Sequence, residues 1–482
     1  MGVAEFVAQV GGVFGINQEH DIIVDNTLLI VGSGDLARNF AESNNDKYKI
    51  TATPFIKDYS GSLGDFRVEM GDDMDGCFTS FANSTNCHDS TQSVESRNDK
   101  NSMKFSQIVF FSDFSEPKKP QLGIHFVSDY NDEVALCAEI DALIGDFSFT
   151  KTILFDEKKC QFFHRNKTEF SYCADCAAVC PTMAISSDNA KRELIFSQID
   201  CILCGKCVGV CPSSAMQKSN ATLTNFSKAL KFYKGKITVV CESVELFERF
   251  CENIDCHESI KNTNSSIVDE KSGLRSHEQG NRTDEFIDEA SGKSPRFIAT
   301  RRICDDFAPL ILPNINMLNE AYLLSILQES GRVCVVVSDN SDKNNMLDAH
   351  LRECVDFIND LYNRVVGQNA VFIAESSAES KNIFDDTHLP YYHYEISNDE
   401  FLREIVANRV RFLIKDNDFG ALKNSANLIY TDLKIDAGKC TLCNACVESC
   451  NTNALINAKD SFTLLLNPSL CTACGYLSLI HI

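Results

Sequence analysis

The stretch "CILCGKCVGVCP", residues 201–212, constrains this 482-residue chain more than any other. Its cysteines follow the spacing C-x2-C-x2-C-x3-C-P and are Cys201, Cys204, Cys207 and Cys211. The chain has 23 cysteines and no basic export signal at its start, so we expect a reducing, cytoplasmic environment that does not maintain disulfides. Cysteines at short, regular spacing then predict a metal centre.

Two-residue spacers let one tight loop wrap three thiolates around three irons of a cubane cluster, while the fourth cysteine ligates a different cluster. The segment resembles the bacterial two-cluster 4Fe-4S ferredoxin family, whose compact domain has two such motifs that exchange their fourth ligands. A partner motif lies upstream in "CADCAAVCP". There, Cys173, Cys176 and Cys180 match the family's second, third and fourth cysteines.

The first cysteine of the upstream motif is displaced, because Phe170 holds its usual place. The nearest candidate is Cys160, which leaves a 12-residue spacer where the family has two residues. The cost of closing a loop grows slowly with its length, so this spacer is tolerable and we assign Cys160 as the ligand. The alternatives are a three-iron cluster without this ligand, or His164 in its place.

Ligand exchange, as the resemblance implies it, gives two sets of four cysteines. Cluster I would be held by Cys160, Cys173, Cys176 and Cys211. Cluster II would be held by Cys180, Cys201, Cys204 and Cys207. Folding of this module would then be coupled to iron binding.

A second copy of the motif begins at "CTLCNACVESC" and contains Cys440, Cys443, Cys446 and Cys450. The usual proline after the last cysteine is replaced by Asn451. Cys450 is followed by Cys471 at the same interval that separates Cys180 from Cys201, so the repeat predicts a fourth motif there.

The fourth motif starts with Cys471 and Cys474, but Leu477 stands where its third cysteine is expected. The terminal "LSLIHI" resembles the translation of a sequencing adaptor, which predicts that the native sequence is truncated after Tyr476. We therefore expect two complete 4Fe-4S clusters in this chain and up to two more in the untruncated protein.

The chain divides into α/β domains with mostly parallel sheets and two α+β cysteine modules that resemble ferredoxin. The predicted domains are 1–150 with a polar insertion at 71–104, the first cysteine module at 151–220, an α/β domain at 221–425 with a disordered insertion at 257–295, and the second cysteine module at 426–482. The cysteines outside the motifs, among them Cys241 and Cys334, are interpreted as free thiols, most of them in the core.

"IVGSGDLA" places Gly32, Gly34 and Ala37 after a predicted strand, like the start of a dinucleotide-binding G-x-G-x-x-A turn. The acidic residue that would bind a ribose is not evident near "YKITATPF". An ordinary strand-to-helix turn is the favoured interpretation, and a flavin or nicotinamide site is the alternative.

The net charge of -23 should repel nucleic acid and anionic membranes, and no long apolar run predicts a membrane span. The expected function is single-electron transfer through 4Fe-4S clusters to redox partner proteins, with no small-molecule substrate identified. An electron-input subunit of a formate, hydrogen or heterodisulfide oxidoreductase is one alternative. A flavin- or nicotinamide-dependent oxidoreductase is another, so the sequence leaves open whether the chain is itself an enzyme.

Overall fold

The structure is a computed structural model of the chain. It describes residues 3–14, 18–69, 79–80, 102–111, 121–162, 173–188, 192–252, 307–312, 314–338, 348–375, 388–422, 428, 430, 433–458, 463–474 and 477. The predicted insertion at 257–295 and most of that at 71–104 lie outside these residues. No helix in the described part is long and apolar enough to cross a membrane.

The N-terminal region is built on a five-stranded sheet. In chain order its elements are α1 (Val3–Gly11), β1 (Gln18–Val24), β2 (Thr27–Val31), α2 (Asp35–Asn44), β3 (Lys49–Thr53), β4 (Asp58–Ser60), β5 (Phe66–Glu69), β6 (Thr79–Ser80), β7 (Ser102–Phe105), β8 (Gln107–Phe110), β9 (Ile124–Phe126), α3 (Glu133–Ala142) and β10 (Gly145–Lys151). The sheet order is β6-β3-β2-β8-β9, and only the β3–β6 pair is antiparallel.

The central strand β2 is apolar throughout because both faces of the sheet are covered. Leu28 and Ile30 join a core with residues of α2 and α3, whereas Leu29 and Val31 join a core with the antiparallel sheet β4-β5-β7. Successive side chains of a strand point to opposite faces, so the run "TLLIV" supplies both cores.

The first cysteine module follows a long antiparallel ribbon of β1 and β10. Its elements are β11 (Ile153–Phe155), α4 (Asp175–Ala178), β12 (Ile185–Asp188), β13 (Glu193–Phe196), α5 (Lys206–Gly209) and β14 (Met216–Lys218). β11 pairs with β14 and β12 pairs with β13, both antiparallel. The first pair brings the start and end of the module together, and the second forms a hairpin between the two cysteine motifs.

The next region has a parallel four-stranded sheet of order β16-β15-β17-β18. Its elements are α6 (Leu223–Leu230), β15 (Ile237–Cys241), α7 (244–252), β16 (Phe307–Ile311), α8 (Glu320–Ser330), β17 (Cys334–Ser338), α9 (Ala349–Val366), β18 (Val371–Glu375) and α10 (Leu402–Ile414). The parallel pairing agrees with the predicted α/β class. The sequence also predicts a strand at "RFIA", residues 296–299, which lie outside the described part of the chain.

The N-terminal helix α1 packs on this third region. Phe6 and Val10 belong to its core, and the Phe6 ring meets Tyr233 edge-on with 5.3 Å between ring centroids. Residues 1–150 are predicted to form one domain, whereas α1 contacts the region that follows the first cysteine module.

The second cysteine module contains α11 (Ala445–Glu448), β19 (Leu455–Ala458) and β20 (Thr463–Leu466). These elements follow their cysteines at the same intervals as α4, β12 and β13 follow theirs, and β19 pairs with β20 as an antiparallel hairpin. A 3₁₀ turn at Pro468–Leu470 contacts α10, which attaches this module to the third region.

Candidate metal centre

The first cysteine module gathers its eight motif cysteines around two separate cavities. One cavity is lined by Cys160, Cys173, Cys176 and Cys211. The other is lined by Cys180, Cys201, Cys204 and Cys207. Each cavity therefore takes cysteines from both motifs, in the grouping that an exchange of fourth ligands requires.

The backbone around these cavities is bent at the same positions in different motifs. In three C-x2-C pairs, the residue before the second cysteine has a positive φ: 61° at Leu203, 56° at Leu442 and 53° at Ala473. In two of these pairs, the residue after the second cysteine also has a positive φ: 72° at Gly205 and 64° at Asn444. A left-handed conformation costs a non-glycine residue roughly 1–2 kcal/mol, so its repetition at set positions indicates a shared constraint.

Such bends fit an anionic iron–sulfur cluster. Consecutive backbone N–H groups in alternating right- and left-handed conformations form a concave site for anions, a feature of many phosphate and iron–sulfur sites. Backbone N–H groups also reach the sulfurs directly. Phe162 donates to Cys160 Sγ over 3.4 Å, and Met216 donates to Cys211 Sγ over 3.5 Å.

A hydroxyl lies beside the last cysteine of three motifs. The oxygen-to-sulfur distances are 3.8 Å for Thr182 and Cys180, 3.7 Å for Ser213 and Cys211, and 3.6 Å for Thr452 and Cys450. Hydrogen bonds to the sulfurs are one of the means by which a protein tunes the potential of such a cluster. The hydroxyl residue two positions after the last cysteine is not part of the ligand spacing, and it was not predicted from the sequence.

The burial of these thiols opposes their ionisation. Desolvation raises the pKa of Cys173 to about 12, with further contributions from Asp175, Cys211 and Cys160. Burial likewise raises the pKa of Cys176 and of Cys207, and other cysteines of the sets add to it. Four thiolates can share such a cavity only when cations neutralise them, so the cavities suit iron and its binding would release protons.

Cys160 is buried and is fixed by its neighbour. The Nζ atom of Lys159 donates to the carbonyl oxygens of Asn398 and Glu400, at 2.5 and 2.7 Å, in the loop before α10. These bonds hold the backbone beside Cys160 close to the third region. Residues 163–172, including His164, lie outside the described part of the chain.

The first cysteine module is also tied to both neighbouring regions. Asp200, next to Cys201, accepts a hydrogen bond from the backbone N–H of Leu122 at 2.8 Å. A Cβ atom added to Gly209 would lie 2.4 Å from the carbonyl oxygen of Asn316, so the helix α5 packs directly on backbone of the third region. Sequence reasoning missed these contacts because each joins residues far apart in the chain.

The second cysteine module groups its cysteines in threes. Cys446 interacts electrostatically with Cys440 and Cys443, and Cys471 interacts with Cys450 and Cys474. Cys443 is exposed, and a hydrogen bond from the backbone of Ala445 lowers its pKa. These thiols are less buried than those of the first module, so a cluster here would be more open to solvent.

The predicted glycine turn joins β2 to α2. Gly32 has φ of 155°, and a Cβ atom there would lie 2.8 Å from Cβ of Phe111, so close packing requires glycine at this position. Gly34 is the N-cap of α2, and Ala37 is a buried residue of that helix. β3 ends at Thr53, whose hydroxyl donates to the carbonyl of Phe55, where a ribose-binding carboxylate would be expected.

Two family models match parts of the chain. A 4Fe-4S dicluster domain matches residues 171–216, and a 4Fe-4S binding domain matches residues 433–456. No curated protein and no solved structure matches the chain. Cys160 and the pair Cys471 and Cys474 lie outside the matched segments. The chain thus contains ferredoxin-type 4Fe-4S-binding domains, and its cofactors are 4Fe-4S clusters.

Proposed function

We propose that the chain conducts single electrons through two 4Fe-4S clusters in its first cysteine module. The ligands of cluster I are Cys160, Cys173, Cys176 and Cys211. The ligands of cluster II are Cys180, Cys201, Cys204 and Cys207. The observation that supports this proposal is the convergence of these cysteines on two cavities, with each motif contributing its last cysteine to the other motif's set.

The two sets lie side by side. Cys176 of the first set interacts electrostatically with Cys207 of the second, and Cys207 interacts with Cys211 of the first. Bound clusters supply one-electron chemistry, while the protein's thiolates hold the iron and its hydroxyl and N–H donors stabilise charge on sulfur. Electron transfer of this kind needs no side chain to act as acid or base.

An exposed apolar edge beside cluster II is the proposed contact for a redox partner protein. Ile202 and Leu203, the two residues between Cys201 and Cys204, are 61% and 41% exposed. Apolar side chains at the surface of a cluster loop allow a partner to approach without removing water from charged groups. We place this exchange in the cytoplasm, where the 23 cysteines of the chain remain reduced.

The second cysteine module would extend the electron path beyond the two clusters of the first module. Cys471 lies near Arg403 of α10, in the region that also contacts the first module through Asn398 and Glu400. A positive charge beside a cluster favours its reduced, more negative state. With three cysteines in each of its sets, this module should hold iron less firmly than the first.

Anaerobic purification followed by chemical and spectroscopic analysis tests the proposal. We expect about eight irons and eight sulfides from the first module, and EPR signals of reduced 4Fe-4S clusters after addition of dithionite. Reduced protein should pass electrons to a one-electron acceptor such as cytochrome c. Released flavin or nicotinamide in amounts equal to the chain, or clusters that cannot be reduced and reoxidised, would contradict the electron-transfer role.

A further inference from the structure

Three side chains of metal-ligating types lie close together outside the ferredoxin-type motifs. Glu320 is the first residue of α8, and His350 and Cys354 stand one turn apart at the start of α9. Their exposed fractions are 2%, 7% and 0%. We propose that these residues form a mononuclear site for a divalent cation of the zinc type. This proposal goes beyond the electron-transfer function and does not depend on it.

The distances fit tetrahedral coordination. Cys354 Sγ lies 3.5 Å from His350 Nε2 and 3.8 Å from Glu320 Oε2, and all three ligand atoms lie within 4.8 Å of one another. Bonds of about 2.3 Å to sulfur and 2.0–2.1 Å to nitrogen or oxygen give tetrahedral edges of roughly 3.5–3.6 Å between the sulfur and the other ligands. The two measured edges from Cys354 Sγ are therefore close to those of a tetrahedral zinc site.

Neighbouring groups orient the ligands. The Tyr430 hydroxyl donates to Glu320 Oε1 at 3.2 Å, and Arg403 Nη1 lies 3.6 Å from the same oxygen. Glu320 Oε2 is thereby directed at Cys354. His350 presents Nε2 to the site, while its Nδ1 has no hydrogen-bond partner among the described atoms. Fixing a ligating carboxylate through its second oxygen is a common feature of metal sites.

The ligand types of Glu320, His350 and Cys354 favour zinc over other common divalent cations. One thiolate, one imidazole and one carboxylate suit zinc, whereas magnesium and calcium prefer oxygen ligands alone. Glu320 and Cys354 as anions would neutralise a divalent cation, which offsets the cost of burying these groups without water. Three protein ligands leave a fourth position open.

The site lies between the two cysteine modules. Asp175, which lies between Cys173 and Cys176 in the chain, interacts electrostatically with His350. On the other side, Arg403 contacts Glu320 and interacts with Cys471. A cation bound here would join the first turns of α8 and α9, with Asp175 of the first module on one side and Arg403, near Cys471 of the second, on the other.

The test uses the full chain, purified anaerobically with its iron–sulfur clusters, cleared of loose metal by a chelator and titrated with zinc. We expect about one tightly bound zinc per chain. Its zinc-edge X-ray absorption should show one sulfur at about 2.3 Å with nitrogen and oxygen at 2.0–2.1 Å. The zinc edge is specific to that element, so the iron of the clusters does not interfere.

Substitutions at the site and a matched control separate it from other thiols. Cys354→Ala, His350→Gln and Glu320→Gln should each weaken zinc binding at least about tenfold. Cys334→Ala, which removes an equally buried cysteine from β17, should leave zinc binding unchanged. Iron content and circular dichroism report whether a variant has folded, and Glu320→Gln keeps the shape of the side chain it replaces.

Two results would overturn the proposal. One is that the original chain binds no zinc, or that folded variants with the three substitutions bind zinc as tightly as the original chain. The other is a zinc spectrum with several sulfur ligands, which would place the ion in a ferredoxin-type motif. Failure of the electron-transfer role would instead appear in the iron, sulfide and EPR measurements, so the two failures are distinguishable.

Discussion

Ser213→Ala should lower the reduction potential of cluster I. The Ser213 hydroxyl lies 3.7 Å from Cys211 Sγ, and both residues are buried. A hydrogen bond to a charged group contributes about 1.5–3 kcal/mol, and sulfur is a weak acceptor. Reduction adds negative charge to the cluster sulfurs, so the hydroxyl stabilises the reduced state more than the oxidised state.

The size of the expected shift in potential depends on how much the hydrogen bond from Ser213 strengthens when the cluster is reduced. If the bond strengthens by about 0.5–1 kcal/mol on reduction, the potential falls by roughly 20–40 mV when the hydroxyl is removed, since 59 mV corresponds to about 1.4 kcal/mol for one electron. A redox titration followed by EPR measures this shift. The control is Ser214→Ala, because the Ser214 hydroxyl donates to the carbonyl of Ser213. An unchanged or raised potential in Ser213→Ala, or an equal shift in both variants, would refute the reasoning.

Two further predictions concern packing and pH. Gly209→Ala should destabilise the contact of α5 with the third region by about 1–3 kcal/mol, since its Cβ would overlap the carbonyl of Asn316, whereas a Cβ at Gly11 meets no described atom within 4 Å. Faster thermal loss of visible absorption in Gly209→Ala alone would agree, and equal rates would not. Burial lowers the pKa of His125 to about 4, below its unfolded value of about 6.5, so the N-terminal sheet should lose up to about 3 kcal/mol of stability as pH falls from 6.5 towards 4. Hydrogen exchange of β8, corrected for intrinsic rates, measures the loss, and constant protection would contradict it.

The regular parts of the fold were predictable because their signals are local. The apolar run "TLLIV" predicts a strand, and apolar residues three and four apart from Leu351 to Tyr362 predict a helix; the structure has β2 and α9 at these places. The spacing of Ser397 and Glu400 predicts a capping box at the start of the next helix, but α10 begins later, at Leu402. Glu404 accepts from the backbone N–H of Phe401 there, so a second acidic residue caps the first turn.

The cysteines of the first module line two cavities in the two predicted groups, and their binding of iron in those groups stays a prediction. The contact that holds the chain beside Cys160 was not predicted from the sequence. Regular spacing determines which thiols a loop brings together. Lys159 instead acts through carbonyl groups more than two hundred residues away, and no local pattern indicates that contact. For the same reason Glu320, with its ligand partners in another helix, carries no signal in the sequence.

Iron analysis of Cys160→Ala is the most direct test of the two proposed ligand sets. The variant should lose cluster I or retain it as a three-iron cluster, which has a distinct EPR signal, while cluster II keeps its four irons. Cys241→Ala, which removes a buried thiol from β15, is the control and should keep the iron content of the original protein. If Cys160→Ala retains all its iron and an unchanged EPR spectrum, Cys160 is not a ligand and the proposed set for cluster I is wrong.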